Sequence, residues 1–415
     1  MASRSAIVPL SIFLLLGPAC LRATGARAQT VVPGLEVLLT EQKSLIAGKR
    51  VGLIANHTGV DRRMRSGVDL LARTPGVKLA ALFAPEHGIR GTVQAGEELG
   101  DTVDERTGVR VYSLYGKTRR PTPEMLKDVD VLLYDIQDAG VRFYTYISTL
   151  GECMEAAADS RIPFIVLDRP NPIAAAGIEG RILDIARFKS FVGAYAIPIR
   201  YGLTIGELAG FIREGLGKDL KLTVVKMKNY RRSMWYDETG LLWIAPSPNI
   251  PSLATATVYP GMCLIEGTNI SEGRGTTQPF EMIGAPWLDG QKLADDLAAL
   301  NLQGVFFRPV EFTPTFSKYQ GENCRGIQIH VSDRRSYEPV RVALHILSVI
   351  RHAYPSDFRW REGSIDRLST GFWLRGSRNS RSSTRCAGNT SSTRECAIPV
   401  IRRRDRGPQP AASGD

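Results

Sequence analysis

Carboxylate, amide, arginine and tyrosine side chains follow four short apolar runs in this sequence, close to the point where each run ends. In "LFAPEHGIRG", residues 82–91, the apolar run is followed directly by Glu86, His87 and Arg90. The other three runs lead into the polar side chains of Asn56, His57, Asp135, Gln137, Asp138, Arg142, Tyr144, Tyr146, Asp168, Arg169 and Asn171. A polar residue after a strand is commonly a helix cap or turn former, so one such cluster alone is weak evidence of a site.

Another polar group lies in a glycine-rich stretch further along the chain, "LIEGTNISEGRGTTQPFE". It contains Glu266, Asn269, Glu272 and Arg274. Glycines allow the backbone to come close to a ligand, although a long surface loop would have a similar composition. The stretch lacks the lysine of a P-loop, so it does not predict phosphate binding.

Carboxylates combined with amides, arginines and aromatic rings are typical of a sugar site. A carboxylic acid can protonate the leaving oxygen of a glycosidic bond. Glu86 is the candidate for this acid, and His87 is either a proton relay or a residue that holds the loop. The sequence has no HExxH, no GxSxG and no GxGxxG after its first strand, so we expect no metal and no cofactor.

These polar groups can meet if the apolar runs are parallel strands of one sheet, which requires helices between them. From about residue 45 to 215, wholly apolar runs alternate with segments of helical periodicity. This pattern predicts an α/β fold, a Rossmann-like doubly wound and mostly parallel sheet, whose strands end at one shared crevice. The region after it predicts a second, smaller α+β domain. We place the two domains at residues 29–215 and 216–365.

The positive charge of the chain is concentrated at its ends. Of the formal net charge of +11, residues 1–30 carry +3 and residues 369–415 carry +6, which leaves +2 for residues 31–368. No basic stripe with interleaved aromatic residues is present, so the sequence argues against a nucleic-acid partner. Five cysteines follow residue 28 without any CxxC pair, which favours neither a zinc site nor a disulfide scaffold.

Both ends of the chain differ from the folded body. Residues 1–28 combine Arg4, a short apolar core and "ARA" before Gln29, as in a cleaved signal peptide. We therefore expect secretion into the periplasm, with no integral membrane span after cleavage. Residues 369–415 are rich in Ser and Arg and have no helix or strand periodicity, which predicts either a disordered tail or a frameshifted end.

Several of these stretches together resemble the NamZ-type exo-β-N-acetylmuramidases, a glycoside hydrolase family formerly described as a domain of unknown function. The matching stretches run in order over about residues 35–360 and include "GLIANHTGVD", "LFAPEHGIRG", "DIQDAGVRFYTYI", "LDRPNP", "SPNIPSL" and "VYPGMCLIEGTNISEGRGTTQPFE". The resemblance implies a cleft between a Rossmann-like domain and a smaller one. The residues it implies are, for catalysis, Glu86, Glu272 and His87, and, for substrate binding, Asn56, Arg90, Gln137, Asp138, Arg142, Tyr144, Asn249, Asn269 and Arg274.

The family resemblance also implies an activity. An enzyme of this family releases N-acetylmuramic acid from the non-reducing end of peptidoglycan fragments or muropeptides, in cell-wall turnover and recycling. Glu86 would be the general acid, and the second carboxylate would be Glu272, Glu266 or Asp138, in that order of preference. The sequence leaves both retention and inversion open, because they differ in the separation of the two carboxyl groups. An arginine, Arg142 or Arg274, could bind the lactyl carboxylate of the sugar.

Two features depart from the family pattern. Tyr201 stands in "PIRYG", where the resemblance predicts a histidine, and the tail at residues 369–415 replaces a predicted helical segment. A protein of another class would also fit much of the sequence, since two α/β lobes around a polar cleft are typical of periplasmic binding proteins. The alternative function is therefore a non-catalytic periplasmic protein that binds a sugar or a muropeptide.

Overall fold

The computed structural model describes residues 30–92, 96–97 and 100–361. Within these ranges there are ten strands: β1 Arg50–Ala55, β2 Lys78–Ala84, β3 Thr102–Val103, β4 Arg110–Ser113, β5 Val131–Asp135, β6 Phe164–Leu167, β7 Leu222–Val225, β8 Met282–Ala285, β9 Val305–Phe312 and β10 Cys324–Val331. The same ranges contain nine α-helices: α1 Gly34–Glu41, α2 Gly67–Ala72, α3 Pro123–Leu126, α4 Thr145–Asp159, α5 Ile185–Phe188, α6 Ile205–Gly215, α7 Leu253–Met262, α8 Gly290–Ala298 and α9 Pro339–Ala353. Short 3-10 helices lie at Lys43–Leu45, Ala174–Ala176, Tyr236–Thr239 and Cys263–Gly267.

The first seven strands form one sheet in the order β3-β4-β2-β1-β5-β6-β7. Every neighbouring pair is parallel except β3 with β4. The chain winds from β1 out to β4 and then continues on the other side of β1 with β5, so the winding direction changes between β1 and β5. In open sheets a ligand crevice forms at this position, beyond the carboxyl ends of the strands. The predicted doubly wound α/β fold is confirmed.

Apolar side chains cover both faces of the large sheet. Along β1, Val51, Leu53 and Ala55 belong to the core beneath α1 and α2, whereas Ile54 belongs to the core on the opposite face. Successive side chains of a strand point to opposite faces, so a strand that is covered on both faces must be apolar throughout. This requirement explains why these strands appear in the sequence as continuous apolar runs.

A second, smaller sheet contains three antiparallel strands in the order β8-β10-β9. The alternating stretch "RGIQIHVS" forms most of β10, and the predicted amphipathic helix near residue 345 is α9, so the smaller α+β part is confirmed. The strand β7 belongs to the large sheet. That sheet therefore continues beyond residue 215, where the sequence interpretation ended the first domain.

One apolar core joins the two sheets. It includes Phe164 and Val166 of the large sheet as well as Ile283 of β8 and Ile346 of α9. Within the described ranges, Cys153, Cys263 and Cys324 are buried free thiols, and none of the helices combines the length and apolar character needed to cross a bilayer. The predicted signal peptide at residues 1–28 and the tail at residues 369–415 lie outside the described residues.

Candidate active site

A tight turn after β2 brings Glu86 to the carboxyl edge of the large sheet. The amide of Gly88 donates a hydrogen bond of 3.0 Å to the carbonyl of Pro85, and His87 has a φ of 74°. A positive φ at the third residue is a property of type II turns, and histidine tolerates it better than a β-branched residue does. His87 is buried, and its backbone forms part of the turn that presents Glu86.

The carboxyl group of Glu86 is half-buried and has one hydrogen bond to each oxygen. The hydroxyl of Thr145 donates to Oε2 at 2.7 Å, and the amide of Gly96 donates to Oε1 at 3.0 Å. Thr145 is the first residue of α4, so Glu86 lies at a helix N-terminus, where the helix dipole favours negative charge. The group is thus oriented by the protein and remains accessible.

An open cleft with a volume of about 670 Å³ borders this carboxyl group. Small-molecule sites have volumes of about 300 to 1,000 Å³, so the cleft can accept a sugar. Its described lining residues are Glu86, Gly96, Glu97, Asn249, Arg274, Phe316 and Ser317. Three predicted site residues that lie far apart in the sequence are therefore brought together: Glu86, Asn249 and Arg274.

Two tyrosines form a buried layer near Glu86. The rings of Tyr144 and Tyr146 meet edge to face, with their centroids 4.9 Å apart. Burial is the main cause that raises the pKa of both tyrosines, and the charges of Glu86 and Asp138 raise both pKa values further. The charges of both carboxylates thus act on this tyrosine pair.

Asp138 is a buried carboxylate with one oxygen in use. Its Oδ2 accepts hydrogen bonds from the amide of Gly140 at 2.6 Å and from the hydroxyl of Tyr201, whereas its Oδ1 has no hydrogen-bond partner among the described residues. Burial raises the pKa of Asp138 to about 6, against the opposing effect of the bonds from Tyr201 and the backbone amides. Tyr201, the departure in "PIRYG", is therefore in direct contact with a candidate catalytic group.

The glycine-rich stretch contributes a network of two carboxylates and two cations. Arg274 contacts Glu266 through Nη2 at 2.6 Å and Glu272 through Nε at 3.2 Å, and Lys318 contacts the second oxygen of Glu272 at 2.9 Å. Burial alone lowers the pKa of Arg274, but the charges of Glu266 and Glu272 outweigh burial and raise this pKa. Arg274 is therefore a permanent cation held at the wall of the cleft.

Arg142 does not lie in the cleft lining. It is fully buried, and its Nη1 donates to the carbonyls of Arg181 and Ile197 at 2.7 and 2.9 Å. Burial lowers the pKa of Arg142 to about 10. The guanidinium ties the carbonyls of the segment between β6 and α6 to the sheet edge, which speaks against the predicted contact with the substrate.

Arg90 and Asn269 are also engaged away from the described cleft lining. Arg90 forms ion pairs with Asp69 at 2.9 Å and with Asp104 at 2.8 Å. The side chain of Asn269 donates to one backbone group and accepts from another in residues 357–359. Both side chains hold loops in place, so the structure gives them a supporting position instead of the predicted direct contact with the substrate.

The remaining predicted residues lie in a buried layer at the strand ends. Asn56 accepts hydrogen bonds from the amide and the hydroxyl of Thr58 at 2.9 and 2.6 Å. Gln137 donates to the carbonyls of Asp138 and Pro170 at 2.9 and 2.7 Å. These side chains fix the backbone from which Asp138 projects, at the position where the winding direction of the sheet changes.

The polar cluster after β6 points inward. Asp168 accepts from the hydroxyl of Thr204 at 3.0 Å and from the amide of Gly206 at 2.8 Å, at the start of α6. Arg169 forms a buried ion pair with Asp135 at 2.6 Å. Asp168 therefore caps a helix, and Arg169 is neutralised by Asp135 of the neighbouring strand-end cluster, so neither side chain lines the described cleft beside Glu86.

Three residues at the cleft were not predicted from the sequence. Thr145 binds Glu86, Glu97 lines the cleft with a second carboxylate, and Phe316 lines it with an aromatic ring. The sequence could have indicated Thr145, because it follows the polar cluster at residues 135–144 and begins a helical pattern. No sequence pattern indicates Phe316, since it lies in a short loop whose contacts depend on the tertiary fold.

The sequence matches two family models. The model described as "Exo-beta-N-acetylmuramidase NamZ, N-terminal" matches residues 51–254, and the corresponding C-terminal model matches residues 257–385. The chain belongs to this family. It is thus a member of a glycosidase family, and the resemblance based on its motifs is confirmed. The second match extends to residue 385, into the segment at residues 369–415.

Similar proteins support the same assignment. A protein of Bacillus subtilis (strain 168) with the name peptidoglycan beta-N-acetylmuramidase NamZ is 52% identical over 351 residues, which make up 84% of each chain. A solved structure of a DUF1343 family protein from Bacteroides fragilis is 46% identical, with a TM-score of 0.74 over 79% of this chain and 84% of that one. A second such structure is 30% identical, with a TM-score of 0.66 over 82% and 88%.

Proposed function

We propose that this protein is an exo-acting β-N-acetylmuramidase that releases N-acetylmuramic acid from the non-reducing end of peptidoglycan fragments, in cell-wall turnover and recycling. The observation that carries the proposal is the position of Glu86. Its carboxyl group is half-buried, hydrogen-bonded at both oxygens and open to a cleft that Asn249 and Arg274 also line. Membership of the family and the name of the Bacillus subtilis relative support the substrate class.

In this mechanism Glu86 is the general acid. It protonates the glycosidic oxygen as the bond to the terminal sugar breaks. Water replaces the leaving group on the anomeric carbon, either directly or after an ester with the second carboxylate. The carboxylate that forms at Glu86 is stabilised by the hydroxyl of Thr145 and the amide of Gly96. The N-terminus of α4 stabilises the same negative charge. The protein thus provides fixed donors at the place where charge develops.

The second carboxylate in our proposal is Asp138, which lies in the buried layer behind the described cleft lining. A base or nucleophile needs an ionised oxygen with an available lone pair. Glu272 forms ion pairs with two cations and Glu266 forms one with Arg274, whereas Asp138 forms no ion pair among the described residues. Oδ1 of Asp138 and Oε2 of Glu272 both lack a hydrogen-bond partner there, so the absence of a neighbouring cation is what favours Asp138. This choice reverses the order of preference that the sequence suggested.

Arg274 is the proposed contact for the lactyl carboxylate of N-acetylmuramic acid. It lines the cleft and remains charged, because Glu266 and Glu272 raise its pKa. Arginine binds carboxylates through two parallel hydrogen bonds, which would distinguish this sugar from N-acetylglucosamine. Asn249, also in the lining, offers an amide for the hydroxyl or acetamido groups.

We further propose that the protein is secreted into the periplasm. Residues 1–28 have the charge, apolar core and cleavage motif of a signal peptide. A substrate that lies outside the cytoplasmic membrane fits this location. Detection of a mature N-terminus at Gln29 in the periplasmic fraction tests the proposal, and a full-length protein in the cytoplasm would contradict it.

The decisive experiment compares the wild-type protein with Glu86→Gln on the disaccharide N-acetylmuramyl-β-1,4-N-acetylglucosamine. We expect turnover by the wild type and a loss of at least about a thousandfold in kcat for the variant, because amides cannot donate the proton. Calorimetry should show that the variant still binds the disaccharide, and Glu311→Gln, on an exposed strand position, is the matched control. Binding without turnover by the wild type would instead favour the alternative, a muropeptide-binding protein.

A further inference from the structure

Phe316 is an aromatic side chain exposed at the cleft that borders Glu86. It is 45% exposed, and it is the one aromatic ring among the described lining residues. Exposed aromatic side chains in a polar cleft are costly to leave in water and are commonly found where a ligand covers them. The proposed roles of Glu86, Asp138 and Arg274 do not use this ring.

The loop that carries Phe316 connects β9 to β10 and is held on both sides of the ring. Thr315 donates from its amide to the carbonyl of Gly275 at 2.9 Å. Lys318 donates to the carbonyl of Ile270 at 2.8 Å. Such contacts restrict the backbone on either side of Phe316 before any ligand binds.

The same loop contains unusual backbone angles. Ser317 has a φ of 74° and Tyr319 has a φ of 59°. Residues other than glycine rarely adopt these values, and they persist where surrounding contacts enforce them, often at ligand sites. The hydroxyl of Tyr319 donates to the carbonyl of Asn269 at 2.7 Å, which is one of these contacts.

Phe316 and Arg274 project from backbones in direct contact. A Cβ atom on Gly275 would lie 2.6 Å from the carbonyl oxygen and 2.7 Å from the amide nitrogen of Phe316, so only glycine permits this approach. Phe316 and the cation that we propose for the lactyl group therefore line one cleft from adjacent backbone segments. The three side chains differ in exposure: Asn249 is 5% exposed as a residue, the side chain of Arg274 is 21% exposed, and Phe316 is 45% exposed.

This order of exposure indicates which sugar each side chain meets. An exo-acting enzyme encloses the terminal sugar, and the rest of the chain leaves through the open side of the cleft. We propose that Phe316 is a stacking platform for the pyranose ring on the leaving-group side of the scissile bond, the N-acetylglucosamine that follows the terminal sugar. The apolar C–H face of a pyranose packs on an aromatic ring as another apolar surface does. This inference rests on the proposed function.

The test compares two substrates that differ only on the leaving-group side, methyl β-N-acetylmuraminide and the disaccharide N-acetylmuramyl-β-1,4-N-acetylglucosamine. For Phe316→Ala we expect kcat/KM to fall roughly tenfold with the disaccharide and to stay unchanged with the methyl glycoside. Phe316→Trp should retain the wild-type preference. Phe306→Ala, which removes a 69% exposed ring on β9 outside the described cleft lining, is the matched control and should change neither value.

Equal losses with both substrates, or no loss with either, would overturn the inference while leaving the hydrolase proposal intact. Calorimetry in the Glu86→Gln background separates the two questions, because it needs no turnover. There, Phe316→Ala should weaken binding of the disaccharide roughly tenfold and leave binding of the methyl glycoside unchanged. If the wild type hydrolyses neither substrate, the proposed function fails, and this difference in affinity still decides the role of Phe316.

Discussion

The hydrogen bonds and the burial of a single carboxylate decide how readily it ionises. Asp138 is buried, and the hydroxyl of Tyr201 and the amide of Gly140 both contact its Oδ2. Both bonds stabilise the ionised form, whereas burial disfavours it and raises the pKa to about 6. The family resemblance predicts a histidine at position 201, so this chain uses a neutral phenol where a residue of variable charge is expected.

This contact leads to a prediction about pH. If Asp138 acts in its ionised form, kcat/KM rises as the pH rises through about 6, the pKa of this group. Tyr201→Phe removes a hydrogen bond to the ionised form, so the pKa increases and the acidic limb of the profile moves to higher pH. Rate profiles of the wild type and the variant between pH 4 and 9, a range of roughly two to three units on either side of the limb, measure the shift.

The control for this prediction is Tyr337→Phe. Tyr337 is buried, and its hydroxyl has no hydrogen-bond partner among the described residues. Its removal should leave the acidic limb in place. A limb that stays at the wild-type pH in Tyr201→Phe would show that Asp138 does not limit the rate at low pH.

Residue type and position identified Glu86 and Arg274 as candidates, and the family resemblance added Asn249. They could not separate Arg274 from Arg142, although both were expected to bind a carboxylate. Arg274 lies between two glutamates at the cleft wall, whereas Arg142 is fully buried against backbone carbonyls. The difference depends on which loop packs over each arginine, and a linear pattern contains no information about that packing.

At the level of secondary-structure elements, the loops of the smaller domain are joined by ion pairs between side chains. Arg274 and Lys318 come from two separate loops and share Glu272 as a partner. These ion pairs hold the two loops together. Glu272 therefore has two competing interpretations: a carboxylate that holds the loops, and the catalytic group that the family resemblance implied.

Substitution of Glu272 separates these two roles. If it holds the loops, Glu272→Ala should lower the free energy of unfolding by about 1 to 3 kcal/mol, because Lys318 and Arg274 lose a charged partner while Arg274 keeps Glu266. Urea unfolding of the wild type, the variant and the exposed control Glu311→Ala measures this change. A variant with wild-type stability and no turnover would instead identify Glu272 as the catalytic carboxylate.

Strands were more predictable than loops for a physical reason. The strands β1, β5 and β6 are buried on both faces and must be apolar throughout, so each leaves a continuous run in the sequence. Phe316 and Lys318 lie in the loop between β9 and β10, whose conformation depends on contacts with Gly275 and Ile270. Such contacts are absent from any local pattern.

At the scale of the molecule, α7 connects the two walls of the cleft. Asn249 lies just before this helix, and the 3-10 helix Cys263–Gly267, which contains Glu266, follows it directly. The helix is positioned by close contact with α9, since a Cβ atom on Gly261 would lie 1.9 Å from the carbonyl oxygen of Pro339. The width of the cleft therefore depends on a contact remote from Glu86.

This arrangement predicts opposite effects for two similar substitutions. Gly261→Ala should lower the free energy of unfolding by about 1 to 3 kcal/mol through overpacking, and it should reduce kcat/KM because α7 must move. Gly210→Ala in α6, where no atom lies within 4 Å of an added Cβ, should be neutral or raise the free energy of unfolding by up to about 1 kcal/mol. Urea unfolding and rate measurements on both variants check the pair, and equal effects would contradict it.

The apolar core that the two sheets share has a consequence for how such proteins can be recombined. Side chains of the large sheet and side chains of α9 and β8 fill one continuous interior. An exchange of the residues 257–385 for those of a relative would join surfaces that evolved against different partners. Exchange of the whole half between relatives should therefore lower the free energy of unfolding, which urea unfolding of the chimera and the wild type measures.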